Sequence, residues 1–257
     1  MTYTATEMMT IGAARALSNT DVCFVGIGLP SAACNLARAT HAPGVTLVYE
    51  SGTIQAKPTV LPLSIGDGEL CETALTTVSV PEMFRYWLQG GRISVGFLSG
   101  AQVDRFGNLN STVIGPYRRP KVRLPGAGGA TEIATSCGRI FMIMRHHARA
   151  MVEKLDFLTT LGHGPTGQER RRLGIMTAGP VMLVTDLCIM EPEPESNEFV
   201  VTALHPGVTR EQVMQNSGWP VRFSSAVRDT EPPAPNELEA LRELNARTAQ
   251  AHAGRTI

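Results

Sequence analysis

The sequence lacks the residue patterns of a metal centre or a redox protein. Its five cysteines are scattered, and no two of them are close enough to form a metal knuckle or a CxxC pair. We expect buried structural thiols in a reducing compartment. The six histidines show no metal-ligand spacing with a nearby carboxylate or thiolate. The sequence therefore predicts that no metal is bound.

An excess of charge and a long apolar run are also missing. Lys and Arg total 23, as do Asp and Glu, so the pattern gives no indication of a nucleic-acid partner. No apolar run reaches the roughly 18 residues that a membrane span needs, and the first residues do not resemble a leader peptide. Hydrophobic residues make up 43% of the chain, which is typical of a globular protein. We expect a cytoplasmic protein that forms one domain over residues 1–257 and binds neither membrane nor nucleic acid.

The first part of the chain predicts a βαβ unit. Apolar residues indicate a strand at Val22–Gly26 and a second strand that ends at Glu50, with a helix over Ser31–Ala39 between them. Strands connected in this way pair in parallel. Sites in open parallel sheets lie at the carboxyl ends of the strands, where both Gly26–Gly28 and Glu50 fall. A helix over about 236–251 completes the predicted domain.

Glu50 is the residue with the most possible chemical roles. It stands beside Ser51 and Gly52, ahead of a long irregular loop over Thr53–Gly68. A carboxylate in this position can be a general base, a metal ligand, a cap for local N–H groups or a nucleophile. A metal ligand is disfavoured because no second carboxylate or histidine lies nearby. A nucleophile would need donors that hold the developing oxyanion. The residues by themselves leave the base, the cap and the nucleophile open.

A glycine-rich stretch over Leu124–Ala130 makes the second unusual demand on the backbone. Gly126, Gly128 and Gly129 precede a predicted helix over Thr131–Thr135. Closely spaced glycines let backbone N–H groups approach an anion, although tight helix packing explains the same pattern. For the rest of the chain, the sequence predicts structural elements without a functional role. These are a hairpin at Ala101–Asn110, a single strand over Val181–Met190, a surface excursion over Gly162–Gly174 and a helix capped by Thr209.

Several motifs together resemble the B subunit of the family I coenzyme A transferases. The motifs are, in chain order, FVGIGLP at Phe24–Pro30, YESG at Tyr49–Gly52, KPTVLPLSIGDGEL, QVDRFGN, LPGAGGA and LHPGVTRE. The resemblance covers Thr6–Ala251, and the shared order makes it far more specific than any one motif. Soon after the Glu-x-Gly turn, where many members have a glycine, this chain has Thr53-Ile54-Gln55.

The resemblance implies a fold, a partner and a set of site residues. The implied fold is α/β, with an open, mostly parallel sheet flanked by helices. The implied partner is an A subunit of similar fold, in an assembly of two A and two B chains. Glu50 corresponds to the nucleophile of the family. The positions that stabilise the oxyanion or contact CoA correspond to Ile27, Gly28, Gly126, Gly128 and Gly129. No cofactor is expected to stay bound, since the coenzyme A thioester is a substrate.

Within the family, the motifs are most similar to those of members that move CoA from succinyl-CoA to 3-oxoadipate. The implied mechanism is ping-pong, through a glutamyl-CoA thioester on Glu50. One alternative is a transferase for glutaconate or another 3-oxoacid. A second is an acyl-CoA hydrolase or decarboxylase on the same fold, although this chain keeps the glutamate that some of those relatives have lost. A third is a nucleotide-binding subunit that uses Gly26–Gly28 for a phosphate and performs no chemistry.

Overall fold

The computed structural model describes residues 2–253, which form two compact units. The first unit comprises the described residues up to Phe97 together with those from Pro233 onward, and the second comprises Leu98–Pro232. That the chain acts as one domain over 1–257 stays a prediction.

The first unit is built on a five-stranded sheet. Its elements are α1 (Ala5–Arg15), β1 (Val22–Phe24), α2 (Leu29–Ala39), β2 (Thr46–Val48), β3 (Thr53–Ile54), α3 (Glu69–Glu72), β4 (Thr76–Thr77), α4 (Val80–Glu82), which continues as a π-helical stretch over Met83–Leu88, and β5 (Val95–Leu98). The strand order is β5-β1-β2-β3-β4. The pairs β5–β1 and β1–β2 are parallel, as the βαβ prediction requires, and β3 is antiparallel to both of its neighbours.

The two helices that open the chain begin as capping chemistry dictates. Thr4 caps α1, because its hydroxyl accepts from the Glu7 N–H (3.1 Å) while the Glu7 carboxylate accepts from the Thr4 N–H (2.7 Å). Helix α2 begins at Leu29, before the expected Ser31. The reason is that Pro30 fits a first turn where no N–H is needed, and Gly28 serves as the N-cap with a φ of 81°.

The second unit contains five further strands that pair side by side, and two small hairpins. Its elements are β6 (Gln102–Val103), β7 (Leu109–Asn110), β8 (Val113–Ile114), β9 (Val122–Arg123), α5 (Ala130–Ser136), β10 (Arg139–Ile143), α6 (Glu169–Arg172), β11 (Pro180–Val184), β12 (Cys188–Pro192), β13 (Phe199–Leu204), α7 (Arg210–Gln215) and β14 (Phe223–Asp229). The sheet order is β14-β13-β12-β11-β10, with parallel pairs at both ends and antiparallel pairs between them. The predicted α/β class, an open sheet of largely parallel strands flanked by helices, is confirmed.

Two predictions for the second unit were wrong. The apolar run Val181–Met190 is not one strand, because the chain reverses between β11 and β12. There the Thr185 hydroxyl accepts hydrogen bonds from the N–H groups of Leu187 (3.2 Å) and Cys188 (3.0 Å). The segment Gly162–Gly174 is not simply a surface excursion either, because it includes the buried side chain of Arg170.

Arg170 shows how a buried cation is accommodated in that segment. Its guanidinium donates to the backbone carbonyls of Ala134 (3.0 Å) and Thr177 (3.4 Å) and to the Thr177 hydroxyl (2.6 Å). Burial nevertheless lowers the pKa of Arg170. Several backbone acceptors thus satisfy a charge that the sequence suggested would lie in solvent.

The chain ends in the first unit with α8 (Pro235–His252), which packs on α1 and α2. Arg15 donates two hydrogen bonds to Glu237 (2.7 and 2.6 Å), and Arg242 donates two to Glu7 (2.6 and 3.3 Å). These pairs and three buried leucines of α8 fix the helix against the unit. Within residues 2–253, no helix is long and apolar enough to cross a membrane. Four cysteines are buried as expected, whereas Cys71 is exposed.

Candidate active site

Glu50 is the first residue of a tight hairpin loop between β2 and β3. The Gly52 N–H donates to the Tyr49 carbonyl (2.9 Å), and the Tyr49 N–H donates to the Thr53 carbonyl (3.1 Å). Gly52 has a φ of 102°. This is the common three-residue hairpin loop in which glycine occupies the left-handed position. The loop presents the partly exposed Glu50 at the carboxyl end of β2.

Gly52 is required by space as well as by its conformation. A Cβ atom at this position would clash with the carbonyl oxygen of Val78. The Val78 N–H in turn donates to the Gly52 carbonyl (2.9 Å), so the segment after β4 is held tightly against the loop. The backbone behind Glu50 is therefore fixed from two directions.

A buried polar network lies below the turn. The Tyr49 hydroxyl is within 3.3 Å of Ser31 Oγ and accepts from Asn35 Nδ2 at 3.4 Å. Burial raises the pKa of Tyr49 well above its ordinary value, so the hydroxyl stays neutral. Arg38 donates to Asn35 Oδ1 (3.3 Å) and to the carbonyl of Pro58 (3.0 Å). The network thus links the end of β2 to the loop that follows β3.

The parallel pairing of β1 and β2 places the first glycine turn at the same sheet edge as Glu50. Phe24 pairs with Val48, and the Val25 N–H donates to the Val48 carbonyl (2.9 Å). Both strands end within two residues of this hydrogen bond. Strand β1 leads into Gly26–Gly28, and β2 leads into Glu50. Ile27 and Gly28, two of the predicted oxyanion positions, therefore lie at the edge that carries the carboxylate.

Two hydroxyls beside Glu50 were missed by the sequence analysis. Ser51 Oγ and Thr53 Oγ1 are buried and have no hydrogen-bond partner among residues 2–253. A buried hydroxyl without a partner costs about 1–3 kcal/mol. The only signal in the sequence was a pair of small polar residues around the Glu-x-Gly turn. The structure shows two buried hydroxyls with unused hydrogen-bonding capacity within three residues of Glu50 in sequence.

The loop after β3 begins with a residue in an unusual conformation. Gln55 has a φ of 53°, in the left-handed region that favours glycine. Gln55 lies in the stretch where many members of the family that this sequence resembles have a glycine. Farther along, the Glu69 carboxylate accepts from the N–H groups of Thr59 (2.9 Å) and Val60 (3.3 Å). The predicted long irregular loop is thus present, with a short strand at its start and a carboxylate anchor at its end.

The second unit carries the other predicted site residues. Gly126 and Gly128 have φ values of 101° and 49°, and a Cβ atom at either position would meet nothing within 4 Å. Conformation alone therefore demands glycine there, and tight helix packing does not explain these two residues. Gly129 is the N-cap of α5. Ser111 fixes the loop, since its carbonyl accepts from the Gly126 N–H (2.9 Å) and its hydroxyl donates to the Gly126 carbonyl (2.8 Å).

The predicted site residues fall into two groups. Glu50, Ile27 and Gly28 belong to the first unit, whereas the glycines of Gly126–Gly129 belong to the second. That the two groups serve one reaction stays a prediction. In the part of the chain from residue 2 to residue 253, no group of three or more His, Cys, Asp or Glu side chains is arranged to hold a metal ion.

Comparison with known proteins identifies the class to which this chain belongs. A family model described as coenzyme A transferase matches residues 6–216, which is most of the chain. The chain therefore belongs to the coenzyme A transferase family. This membership gives no support to the alternative of a nucleotide-binding subunit without chemistry.

Two relatives that match over almost the whole chain are B subunits. The B subunit of 3-oxoadipate CoA-transferase from Pseudomonas knackmussii is 64% identical over 97% of this chain and 96% of its own length. The B subunit of glutaconate CoA-transferase from Acidaminococcus fermentans is 35% identical over 94% of this chain and 92% of its own. The crystal structure of glutaconate coenzyme A-transferase from that organism has a TM-score of 0.87 at 31% identity, with 94% of each chain covered. The chain is thus a CoA-transferase B subunit.

Proposed function

We propose that this chain is the catalytic B subunit of an enzyme that moves CoA from succinyl-CoA to 3-oxoadipate. The observation that carries the proposal is the position of Glu50, a carboxylate on a rigid hairpin loop at the sheet edge that also holds Gly26–Gly28. The 64% identity with the B subunit of a 3-oxoadipate CoA-transferase supports the choice of acid.

The first half of the reaction transfers the CoA group to the enzyme. The Glu50 carboxylate attacks the thioester carbonyl carbon of succinyl-CoA, and the C–S bond breaks to release the CoA thiolate. This leaves a mixed anhydride between succinate and Glu50. The thiolate then attacks the Glu50 acyl carbon, succinate departs, and a glutamyl-CoA thioester remains.

The second half runs the same steps in reverse order with the second acid. A carboxylate of 3-oxoadipate attacks the Glu50 acyl carbon of the thioester, and the CoA thiolate is released. The thiolate then attacks the 3-oxoadipyl carbonyl carbon of the new anhydride, and the Glu50 carboxylate departs. The products are 3-oxoadipyl-CoA and free Glu50. Each step exchanges one acyl bond for another, so no net proton or electron is consumed. Backbone N–H groups near Ile27, Gly28 and Gly126–Gly129 would hold the developing oxyanions.

The proposal includes a partner and excludes a resident cofactor. The protein would work with an A subunit, as two A and two B chains, and the coenzyme A thioester would come and go as a substrate. The names of the relatives support the partner, since each is the B subunit of its enzyme. Glutaconate and 3-oxoacids other than 3-oxoadipate are the alternative acids, and an acid panel with succinyl-CoA would rank them by kcat/KM.

The decisive test is the loss of the carboxylate. Glu50→Gln and Glu50→Ala in the A/B complex are expected to lower kcat for CoA transfer by about 10³-fold or more, because no nucleophile remains. Glu82→Gln is the control, because Glu82 is an exposed glutamate of the same unit. Wild type incubated with succinyl-CoA and no acceptor should form a hydroxylamine-sensitive adduct at Glu50. Full turnover by Glu50→Ala would overturn the assignment of the nucleophile.

The fate of the CoA separates transfer from hydrolysis. Product analysis should find CoA on added 3-oxoadipate, with little free thiol when the acceptor is present. An equal release of free thiol with and without acceptor would instead favour a hydrolase on the same fold.

A further inference from the structure

A concentration of positive charge stands in the second unit just before the glycine loop. The segment from Ser111 to Thr131 contains four cations and no carboxylate, although the whole chain has no net charge. The cations are Arg118, Arg119, Lys121 and Arg123, and all four are exposed. Arg118, Arg119 and Lys121 have no side-chain hydrogen bond or ion pair within residues 2–253. Such a surface favours an anionic ligand.

These residues lie on the ordered hairpin of β8 and β9, which we call the basic hairpin (Val113–Arg123). Its base is anchored by Asp156, whose carboxylate accepts from the Gly115 N–H (3.0 Å). Its Tyr117 ring stacks on Phe157, with centroids 5.4 Å apart, and the Arg123 guanidinium lies 5.0 Å from the centre of the Tyr117 ring. These contacts hold the hairpin in place, so that its backbone loses little conformational entropy on binding.

The basic hairpin continues directly into the glycine loop. Beyond β9, the Leu124 N–H donates to the Thr112 carbonyl (3.0 Å) and the Gly126 N–H donates to the Ser111 carbonyl (2.9 Å). The strand pairing therefore extends from the tip of the hairpin to the start of the loop. At about 3.3 Å per residue, the five steps from Lys121 to Gly126 span about 16 Å. One continuous ribbon joins the unpaired cations to the predicted oxyanion glycines.

We propose that the basic hairpin binds the phosphates of the 3′-phospho-ADP end of coenzyme A. Arg118, Arg119 and Lys121 contact the phosphates, and the pantetheine arm follows β9 so that the thioester reaches Gly126–Gly129. The inference rests on the proposed function, which makes an acyl-CoA the substrate. The ligand is polyanionic at one end, has a long neutral arm and reacts at the other end. The ribbon offers matching features in the same order, with cations at the hairpin, the strand β9 and then the glycine loop. Each guanidinium group can bind two phosphate oxygens at once.

The experiment compares two double variants of equal charge change in the A/B complex. Arg118→Gln/Arg119→Gln removes two cations of the basic hairpin. Arg171→Gln/Arg228→Gln removes two exposed arginines elsewhere in the same unit. Each complex is assayed with succinyl-CoA and with succinyl-pantetheine, which lacks the nucleotide. The hairpin variant should raise KM for succinyl-CoA about tenfold or more, and the control variant should not. The kcat/KM of the hairpin variant for succinyl-pantetheine should equal that of wild type.

Two results would overturn the inference. An unchanged KM for succinyl-CoA would mean that the hairpin is only a solvated surface. An equal loss with both thioesters, together with weaker A/B association in sedimentation velocity, would mean that it docks the partner chain. If the double variant fails to assemble, the single Lys121→Gln variant serves in the same comparison.

Calorimetric titration of the complex with free coenzyme A distinguishes this inference from the proposed function. Binding that is about tenfold weaker in the hairpin variant supports the inference even if wild type transfers no CoA to 3-oxoadipate. Active transfer by wild type combined with unchanged CoA affinity in the variant would refute the inference and leave the proposed function intact.

Discussion

Gly52 and Gly128 both have left-handed backbones, but for different physical reasons. At Gly52, a Cβ atom would run into the Val78 carbonyl, so both space and conformation demand glycine. At Gly128, a Cβ atom would meet nothing within 4 Å, so only the φ of 49° demands it. Gly52 therefore keeps the backbone next to Glu50 in a fixed position. Gly128 leaves the backbone of its loop uncovered, which suits close approach to a ligand.

The two regions also differ in what they offer to a substrate. The turn in the first unit presents a single carboxylate, Glu50, above the buried Tyr49 network. The loop in the second unit presents backbone groups and extends from the basic hairpin. One region thus carries the proposed nucleophile, and the other carries the proposed oxyanion donors and exposed positive charge.

The largest expected effect on stability comes from Gly52→Ala. Because the new methyl group must displace the Val78 carbonyl and adopt a φ of 102°, the free energy of unfolding should fall by about 3 kcal/mol or more. Urea denaturation measures it. Gly91→Ala is the control, since Gly91 has a φ of 72° and open space around its Cα, and it should cost about 1 kcal/mol. Similar losses for the two variants would remove the distinction between the two kinds of glycine.

Gly128→Ala should separate activity from stability. Gly174 has a φ of 69° and equally open space, so both substitutions should cost about 1 kcal/mol of unfolding free energy. Only Gly128→Ala should impair the reaction, by about a hundredfold in kcat, because the loop backbone is displaced from the reacting atoms. Steady-state kinetics of the A/B complex provides the measurement. Equal activity in the two variants would show that the Gly128 backbone does not contact the substrate.

The smallest expected effect is that of Thr53→Val on stability. Among residues 2–253, Thr53 Oγ1 is buried without a partner, so replacing it by a methyl group removes a desolvation cost and should raise the unfolding free energy by up to about 1 kcal/mol. Thr10→Val is the matched control, because the equally buried Thr10 hydroxyl donates to the Thr6 carbonyl (2.8 Å), and its loss should cost about 1 kcal/mol. Thermal unfolding compares them. A larger loss at Thr53 than at Thr10 would show that the Thr53 hydroxyl is satisfied after all.

Local signals in the sequence predicted the elements whose chemistry is local. The predicted Thr209 cap was correct because its partner lies within three residues, where the Thr209 hydroxyl accepts from the Gln212 N–H (3.2 Å). The hairpin turn at Asp104 was also correct, since that carboxylate accepts from the N–H groups of Phe106 (2.9 Å) and Asn108 (3.1 Å).

Elements that depend on distant partners were not predictable in the same way. The strands β8 and β9 contain two residues each, too few for a periodic pattern, and the exposed β9 has no apolar face. The turn between β11 and β12 contains no glycine or proline that would indicate a reversal within this largely apolar stretch. For these segments, strand pairing overrides what the local residues indicate.

The sequence by itself determined that a strand ends at Glu50 in a Ser-Gly turn, that glycines gather at Gly126–Gly129, and that the motifs follow the order of one enzyme family. These features depend on neighbours in the chain or on the order of motifs. Only the tertiary structure decided that Val78 excludes any side chain at Gly52 and that Arg15 and Glu237 pair across 222 positions. It also decided that the buried hydroxyls of Ser51 and Thr53 have no partner in the described part of the chain. Those outcomes depend on distances between segments remote in sequence, which no local pattern records.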